Sequence, residues 1–139
     1  MQPTTWPASR TSSRYRDDLR MTLKIQCVTV DARDPDALAA WWARALGYTV
    51  KQMDEPDEAA IVPEVRGKDP AILFIKVPED KQVKNRWHLD LEPDDQQAEV
   101  ARLEAIGATR VDIGQTTDES WVVLADPEGN EFCVLQPRQ

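Results

Sequence analysis

The side chains best suited to proton transfer are His88 and Asp90, which lie two residues apart in a run of alternating polar and apolar residues. His88 is the only histidine in the chain, and imidazole is the side chain whose charge changes near neutral pH. Residues two apart on a strand share a face at a separation of about 7 Å. The pair leaves three roles open for His88: a general base oriented by the carboxylate, a hydrogen-bonding group for a ligand, or a structural residue.

Cys27 and Cys133 are the only cysteines and offer a second kind of chemistry. The N-terminus has no apolar segment of the kind that directs secretion, so we expect a cytoplasmic protein with reduced thiols. Free cysteines commonly pack as small buried hydrophobic residues, and this is the role expected of both. No Cys-x-x-Cys pair, phosphate loop or nucleophile elbow is present, which excludes the common thioredoxin-like, nucleotide-binding and hydrolase classes.

Tryptophans and cations near His88 are candidates for the wall of a binding site. Trp87 and Trp121 both lie in β-like runs. Alternation directs the Trp87 side chain away from the side of His88, so Trp121 is the expected aromatic wall. Lys84 and Arg86 could steer an anion towards an acidic protein, but we interpret them as part of a solvated linker.

The elements that position these residues begin with a strand at 22–31 and a helix at 35–46. Asp34 is the expected N-cap, Pro35 the first helical residue and Gly47 the stop. One face of this helix is apolar and predicts packing on a sheet; it consists of Leu38, Trp41, Trp42, Ala45 and Leu46. Shorter β-like runs follow at 48–54, 58–62 and 70–77, which gives the order βαβββ.

The second half of the chain repeats this order. Its predicted elements are a strand at 87–91, a helix from about 95 to 106, and strands near 109–113, 120–125 and 131–136. Residues 27–34 align with 88–95 at an offset of 61, and 72–78 align with 131–137 at an offset of 59. The repeat predicts two modules, at 22–78 and 86–137, in an α+β fold.

Composition excludes several partners. The net charge is −8, from 17 Lys and Arg against 25 Asp and Glu, and no basic stripe suits a nucleic acid. No apolar run approaches the roughly 20 residues that span a bilayer. Residues 1–20 are rich in Ser, Thr, Pro and Arg and are predicted to be a disordered tail. The sequence leaves open whether Met1 or Met21 is the initiator.

Two segments carry a family resemblance: the strand, Asp-Pro, helix and Leu-Gly-Tyr of residues 27–48, and Leu-Ala-Asp-Pro-Glu-Gly-Asn-Glu-Phe-Cys of residues 124–133. In this order they resemble the vicinal oxygen chelate superfamily, which includes glyoxalase and bleomycin-resistance proteins. Residues 84–91 and 121–133 are similar to glyoxalase-like domain proteins of actinobacterial type. The resemblance spans about 22–137 within a domain at 21–139, and implies paired half-barrels that enclose one cleft.

The resemblance also implies where metal ligands would stand. Metal-dependent relatives place them on the first and last strand of each module, at positions that correspond to Cys27, Phe74, His88 and Cys133. Only His88 matches the usual ligand. A Cys/His/Cys set is competent for Zn²⁺ but unsuited to Mg²⁺, Mn²⁺ or Fe²⁺. We therefore expect no metal site, while a divalent metal stays open as a cofactor.

The expected site follows from strand alternation around the cleft. His88 and Glu131 are the candidates for acid–base catalysis. The candidates for ligand contact are Cys27, Asp31, Phe74, Asp90, Trp121 and Cys133. Leu89, Leu91, Phe132 and Val134 are expected to pack on the helix side.

Three functions are compatible with this cleft. The first is a metal-free protein that binds a small organic molecule. The second is an enzyme, either a metal-assisted lyase, isomerase or dioxygenase or an acid–base catalyst using His88. The third is a regulatory domain whose cleft is filled by side chains. The resemblance further implies a homodimer.

Overall fold

The computed structural model describes residues 23–112, 114 and 119–138. They form two modules with the same order of elements, each a four-stranded sheet with one helix. The predicted α+β fold of tandem βαβββ modules is confirmed. The predicted tail at 1–20 lies outside the described residues. No helix among the described residues has the length and apolar character needed to cross a bilayer.

Module one forms a mixed sheet in the order β1-β4-β3-β2. Strands β1 and β4 run parallel, and the other neighbours are antiparallel. The bounds of its elements are β1 (Cys27–Ala32), α1 (Pro35–Leu46), β2 (Thr49–Lys51), β3 (Glu58–Val62) and β4 (Ala71–Lys76).

Module two repeats this topology in the order β5-β8-β7-β6, with β5 parallel to β8. Its elements are β5 (Asp90–Leu91), α2 (Gln96–Ala105), β6 (Thr109–Arg110), β7 (Val122–Ala125) and β8 (Glu131–Val134). Strand β5 is shorter than the predicted 87–91, so His88 precedes the strand instead of lying within it. The pairing nevertheless begins one residue earlier, since the Cys133 amide donates to the Leu89 carbonyl at 2.9 Å.

Helix α1 begins and ends where local chemistry requires. The Asp34 carboxylate accepts the Ala37 amide at 3.1 Å, and Pro35 occupies the first turn. Gly47 ends the helix with φ of +71°, a left-handed conformation that favours glycine. These three residues act as the sequence predicts.

The buried face of α1 packs on module two as well as on its own sheet. The Trp41 indole donates to the Ile106 carbonyl at 2.7 Å, and the Trp42 indole donates to the Asp126 carboxylate at 2.9 Å. The ring of Phe132 on β8 lies 4.9 Å from that of Trp42, nearly edge to face. The two tryptophans therefore join the modules through one core.

Module two also holds both ends of α1. The Glu128 carboxylate accepts the backbone amides of Arg33 and Asp34, at 2.6 and 3.1 Å. At the other end, the Arg102 guanidinium of α2 donates to the Ala45 carbonyl at 2.8 Å. An anion at a helix N-terminus and a cation at its C-terminus both favour the helix dipole.

Candidate ligand-binding site

A cavity of about 450 Å³ lies where β1, β8 and the connector between the modules meet. The connector comprises residues 77–89, between β4 and β5. Val30, Phe132 and Trp87 contribute apolar surface, while His88 and Glu131 contribute polar groups. An apolar cavity with a few polar groups is typical of a site for a small molecule.

His88 and Asp90 contact each other at one side of this cavity. His88 Nε2 lies 3.1 Å from Asp90 Oδ1, much closer than the separation expected along a strand. Asp90 pairs with Cys133 across β5 and β8. The three donor atoms of His88, Asp90 and Cys133 all lie within 4.8 Å of one another. The structure therefore brings together three of the residues predicted from the sequence.

The thiol of Cys133 is protonated in this setting. Burial, followed by the charge of the Asp90 carboxylate and the hydrogen bond that this carboxylate accepts from the thiol, raises its pKa from 9.0 to about 11. Lys84 acts in the opposite direction and does not reverse the rise. Because the thiolate is the nucleophilic form, Cys133 in this state is not an activated nucleophile.

Glu131 anchors the connector. Its carboxylate accepts a hydrogen bond from Lys81 Nζ at 2.8 Å and from the Asn85 amide at 3.0 Å. Burial alone raises the pKa of this carboxyl, but these hydrogen bonds and the Lys81 charge outweigh it, so the pKa lies below its ordinary value. The Glu131 side chain is thus an ion-paired carboxylate, a form that accepts hydrogen bonds and does not donate a proton.

Phe74 lies on the opposite face from Cys27. Phe74 pairs with Val30, whereas Cys27 pairs with Ala71, and neighbouring positions along a strand alternate between faces. Phe74 is fully buried, at 0% exposure, and belongs to the core, from which it reaches the apolar wall of the cavity. The expectation that Cys27 and Phe74 occupy equivalent positions on one cleft face is wrong.

The reason is the register of the last strands. Val30 pairs with Phe74 in module one, and Leu91 pairs with Val134 in module two. Residues of β1 correspond to residues of β5 that are 61 positions later. The pairs therefore show that residues of β4 correspond to residues of β8 that are 60 positions later, whereas the sequence alignment predicted 59. A slip of one residue moves every side chain to the other face. The residue of module one that corresponds to Cys133 is Leu73.

The two β1 candidates differ in position. Asp31 is exposed and lines the cavity. Cys27 is partly buried, and its Sγ lies 3.9 Å from Thr29 Oγ1, a distance at which a thiol makes only a weak hydrogen bond. Cys27 belongs neither to the cavity lining nor to the cluster of His88, Asp90 and Cys133.

Trp87 lines the cavity and Trp121 does not. Trp87 is 92% exposed in the connector, while Trp121 is 40% exposed beside β7. Strand alternation directed Trp87 away from His88, but both residues precede β5, where alternation does not apply. The connector therefore adds an exposed tryptophan to a wall whose other aromatic side chains, Trp42, Phe74 and Phe132, belong to the core.

Most connector residues that line this site were not predicted, Lys81, Asn85 and Trp87 among them. The sequence offered one signal that could have identified them. A connector of polar and aromatic residues leads directly to the sole histidine, so it must pass beside that histidine in the fold. Its contacts with β8 cross 46 to 50 positions and have no local pattern.

A second cavity, of about 770 Å³, lies between the C-terminal end of α1 and the start of α2. It shares Val28, Ile72 and Leu89 with the first cavity. Tyr48 lines it, and burial followed by the nearby Asp69 charge raises the pKa of this phenol. The polar cluster lies between the cavities, since His88 faces the first and Asp90 the second.

Several solved structures share this fold. A glyoxalase/bleomycin resistance protein/dioxygenase family enzyme from Burkholderia phytofirmans matches at a TM-score of 0.64 and 21% identity, covering 84% of this chain and 100% of that chain. TnmS3, an antibiotic-binding protein from Streptomyces, matches at 0.61 and 19%, covering 85% and 98%. The fosfomycin resistance protein FosX from Listeria monocytogenes, in complex with Mn(II) and a dihydroxypropylphosphonic acid, matches at 0.65 and 12%, covering 85% and 93%.

These identities establish a shared fold and nothing about the ligand. No curated protein matches the sequence. The model of a glyoxalase-like domain matches residues 27–135, most of the chain and both modules. The chain therefore belongs to the glyoxalase-like domain family.

Proposed function

We propose that this protein binds a small organic molecule in the cavity between its modules, without the inter-module metal centre of metal-dependent relatives. The observation that carries the proposal is the composition of the cavity wall. Apolar groups from both modules lie beside the exposed indole of Trp87, and His88 and Asp31 provide polar contacts. This wall suits a planar or amphipathic ligand, because a tryptophan stacks on flat rings and the polar groups fix orientation.

The residues at the metal-ligand positions of the superfamily do not fit its usual ions. Module one offers Cys27 and the apolar Leu73 there, on strands β1 and β4. Mg²⁺ and Mn²⁺ prefer oxygen donors, which neither residue supplies. A metal centre shared between the modules needs carboxylate or imidazole ligands from both of them. At these positions module one provides neither.

A titration with planar aromatic and amphipathic compounds, aromatic antibiotics included, tests the proposal by native mass spectrometry and tryptophan fluorescence. We expect at least one compound to bind with a stoichiometry of one per chain. Trp87→Ala should weaken that binding about tenfold, on the scale of an aromatic contact. Trp121→Ala is the matched control and should leave affinity unchanged. Equal losses in the two variants, or no binding by any compound, would contradict the proposal.

The contact between His88 and Asp90 favours a second candidate, a metal-free acid–base enzyme. A carboxylate 3.1 Å from Nε2 can fix the orientation of the imidazole and leave Nδ1 for a substrate. For a compound found to bind, product formation should then fall about a hundredfold in His88→Ala while affinity changes less. Binding without turnover in the parent protein, or equal turnover in the variant, would exclude this candidate.

We further propose that the protein acts in the cytoplasm as a homodimer. Both cysteines are free thiols, which is compatible with a reducing compartment. The exposed apolar side chains of Leu23, Ile25 and Val83 are available to a second copy. Size-exclusion chromatography with light scattering should give twice the chain mass; the mass of one chain at micromolar concentration would refute the dimer.

A further inference from the structure

Module two assembles three different donor types on one side of its sheet. Asp90 and Cys133 are direct partners across β5 and β8, and His88 precedes Asp90 by two residues. Nitrogen, oxygen and sulfur donors thus converge within 4.8 Å, and His88 Nε2 lies 3.1 Å from Asp90 Oδ1. Donors bound to one tetrahedral zinc ion stand roughly 3.3–3.6 Å apart. The cluster therefore needs a closure of little more than about 1 Å to share an ion.

We propose that His88, Asp90 and Cys133 form a zinc-binding site that module two builds alone. The donor set selects the metal. A thiolate and an imidazole suit Zn²⁺, while Mg²⁺, Ca²⁺ and Mn²⁺ prefer sites made of oxygen. Asp90 supplies the third ligand that module one does not provide. This site goes beyond the proposed ligand binding, since it adds a metal that a binding cavity does not need.

Access to the cluster is suited to an exchangeable ion. The side chains of His88 and Asp90 are 40% and 53% exposed, so a hydrated ion can reach them, while Cys133 is buried beneath at 7%. On binding, the thiol loses its proton to solvent and the sulfur takes its place on the metal. The contact of His88 with Asp90 is exchanged for two bonds to the ion.

The open position of such a site would face the proposed ligand. Three protein ligands leave one tetrahedral position for water or a ligand oxygen. His88 lines the first cavity, so that position lies beside the space where the organic molecule is proposed to bind. Zinc there would act as a Lewis acid towards an oxygen donor, and His88 Nε2 would no longer serve as a base.

Titration of the chelator-treated full chain with Co²⁺ alone, followed by competition with Zn²⁺, tests the site. We expect a thiolate-to-cobalt charge-transfer band at one equivalent, displaced by Zn²⁺. Cys133→Ser should abolish the band, and His88→Gln and Asp90→Asn should each weaken binding at least about tenfold. Cys27→Ser is the matched control, because it removes the only other thiol and should leave the band intact.

The outcomes separate this site from the proposed function. Absence of the band in the parent, or its loss in Cys27→Ser, would overturn the zinc site. Thermal unfolding of the His88 and Asp90 variants, whose side chains are partly exposed, shows whether they fold, so a lost band in them reports the ligands. Binding of an organic compound to metal-free protein is measured separately. The result of that measurement tests the proposed ligand binding independently of the zinc site.

Discussion

The indole of Trp42 in module one donates a hydrogen bond to the buried carboxylate of Asp126 in module two, with 2.9 Å between Nε1 and Oδ2. The other oxygen of Asp126 accepts the backbone amides of Glu128 and Asn130. The same carboxylate therefore shapes the Asp-Pro-Glu-Gly-Asn turn and holds α1 against β8. A turn that looks purely local in the sequence is a joint between the modules.

Trp42→Phe should lower the free energy of unfolding by about 2 kcal/mol, because it removes one of the two donors to Oδ2 of the buried Asp126 carboxylate and reduces the ring contact with Phe132. Urea unfolding followed by circular dichroism measures the change. Trp121→Phe is the control, since Trp121 is partly exposed, and should stay within about 0.5 kcal/mol of the parent. Equal stability of the two variants would show that the joint contributes nothing.

Glu128→Gln should lower the free energy of unfolding by about 1 kcal/mol. The two carboxylate oxygens each accept one amide at the start of α1, so glutamine keeps the shape but loses one of these acceptors and the favourable charge at the helix N-terminus. Glu79→Gln removes the same charge from an exposed connector residue and is the control. Adding salt should narrow the difference between the two variants, because it screens the charge of Glu128.

The raised pKa of Cys133 predicts a loss of stability in alkali. The folded chain keeps the thiol proton up to about pH 11, whereas the unfolded chain loses it near pH 9.0. The folded state therefore binds more protons between these values, and stability must fall as pH rises through them. The loss is on the order of 2 kcal/mol. The free energy of unfolding should fall across this pH range in the parent and in Cys27→Ala, and it should not fall in this way in Cys133→Ala. A parallel decline in both variants would contradict the assignment to Cys133.

Glu131→Gln should release the connector. The carboxylate binds Lys81 and Asn85, and its lowered pKa means that this stabilisation is present above pH 4.5 and lost as pH falls through the folded value. Limited trypsin digestion at neutral pH should cut at Lys84 and Arg86 about tenfold faster in the variant. Glu79→Gln again serves as the control. Unchanged cleavage would mean that other contacts hold the connector.

Features set by neighbours in sequence could be predicted, and the start and end of α1 are the clearest case. Asp34, Pro35 and Gly47 act on residues within one turn, so their types suffice. The apolar face with Trp41 and Trp42 is buried as its spacing indicates. The module order also follows, since the repeat shows each element twice.

Register could not be predicted in the same way. The position of Phe74 depends on how many residues the loops between strands contain, and a difference of one residue places it in the core. The distance between His88 and Asp90 is shorter than the strand spacing predicts, for a related reason. His88 precedes the strand, and its side chain turns towards the carboxylate instead of standing parallel to it. Such distances depend on backbone geometry that residue types do not determine.

The attachment of α1 to module two at both ends has a consequence for how the cavity admits a ligand. Hinging the modules apart would break the contacts of Trp42, Glu128 and Arg102 together, so we expect such hinging to be costly. The middle of the connector, by contrast, is fastened to β8 at Glu131, which binds Lys81 and Asn85, while its end is paired to Cys133 through the Leu89 carbonyl. For the proposed ligand, we therefore expect entry to depend on release of the connector from Glu131 more than on a motion between the modules.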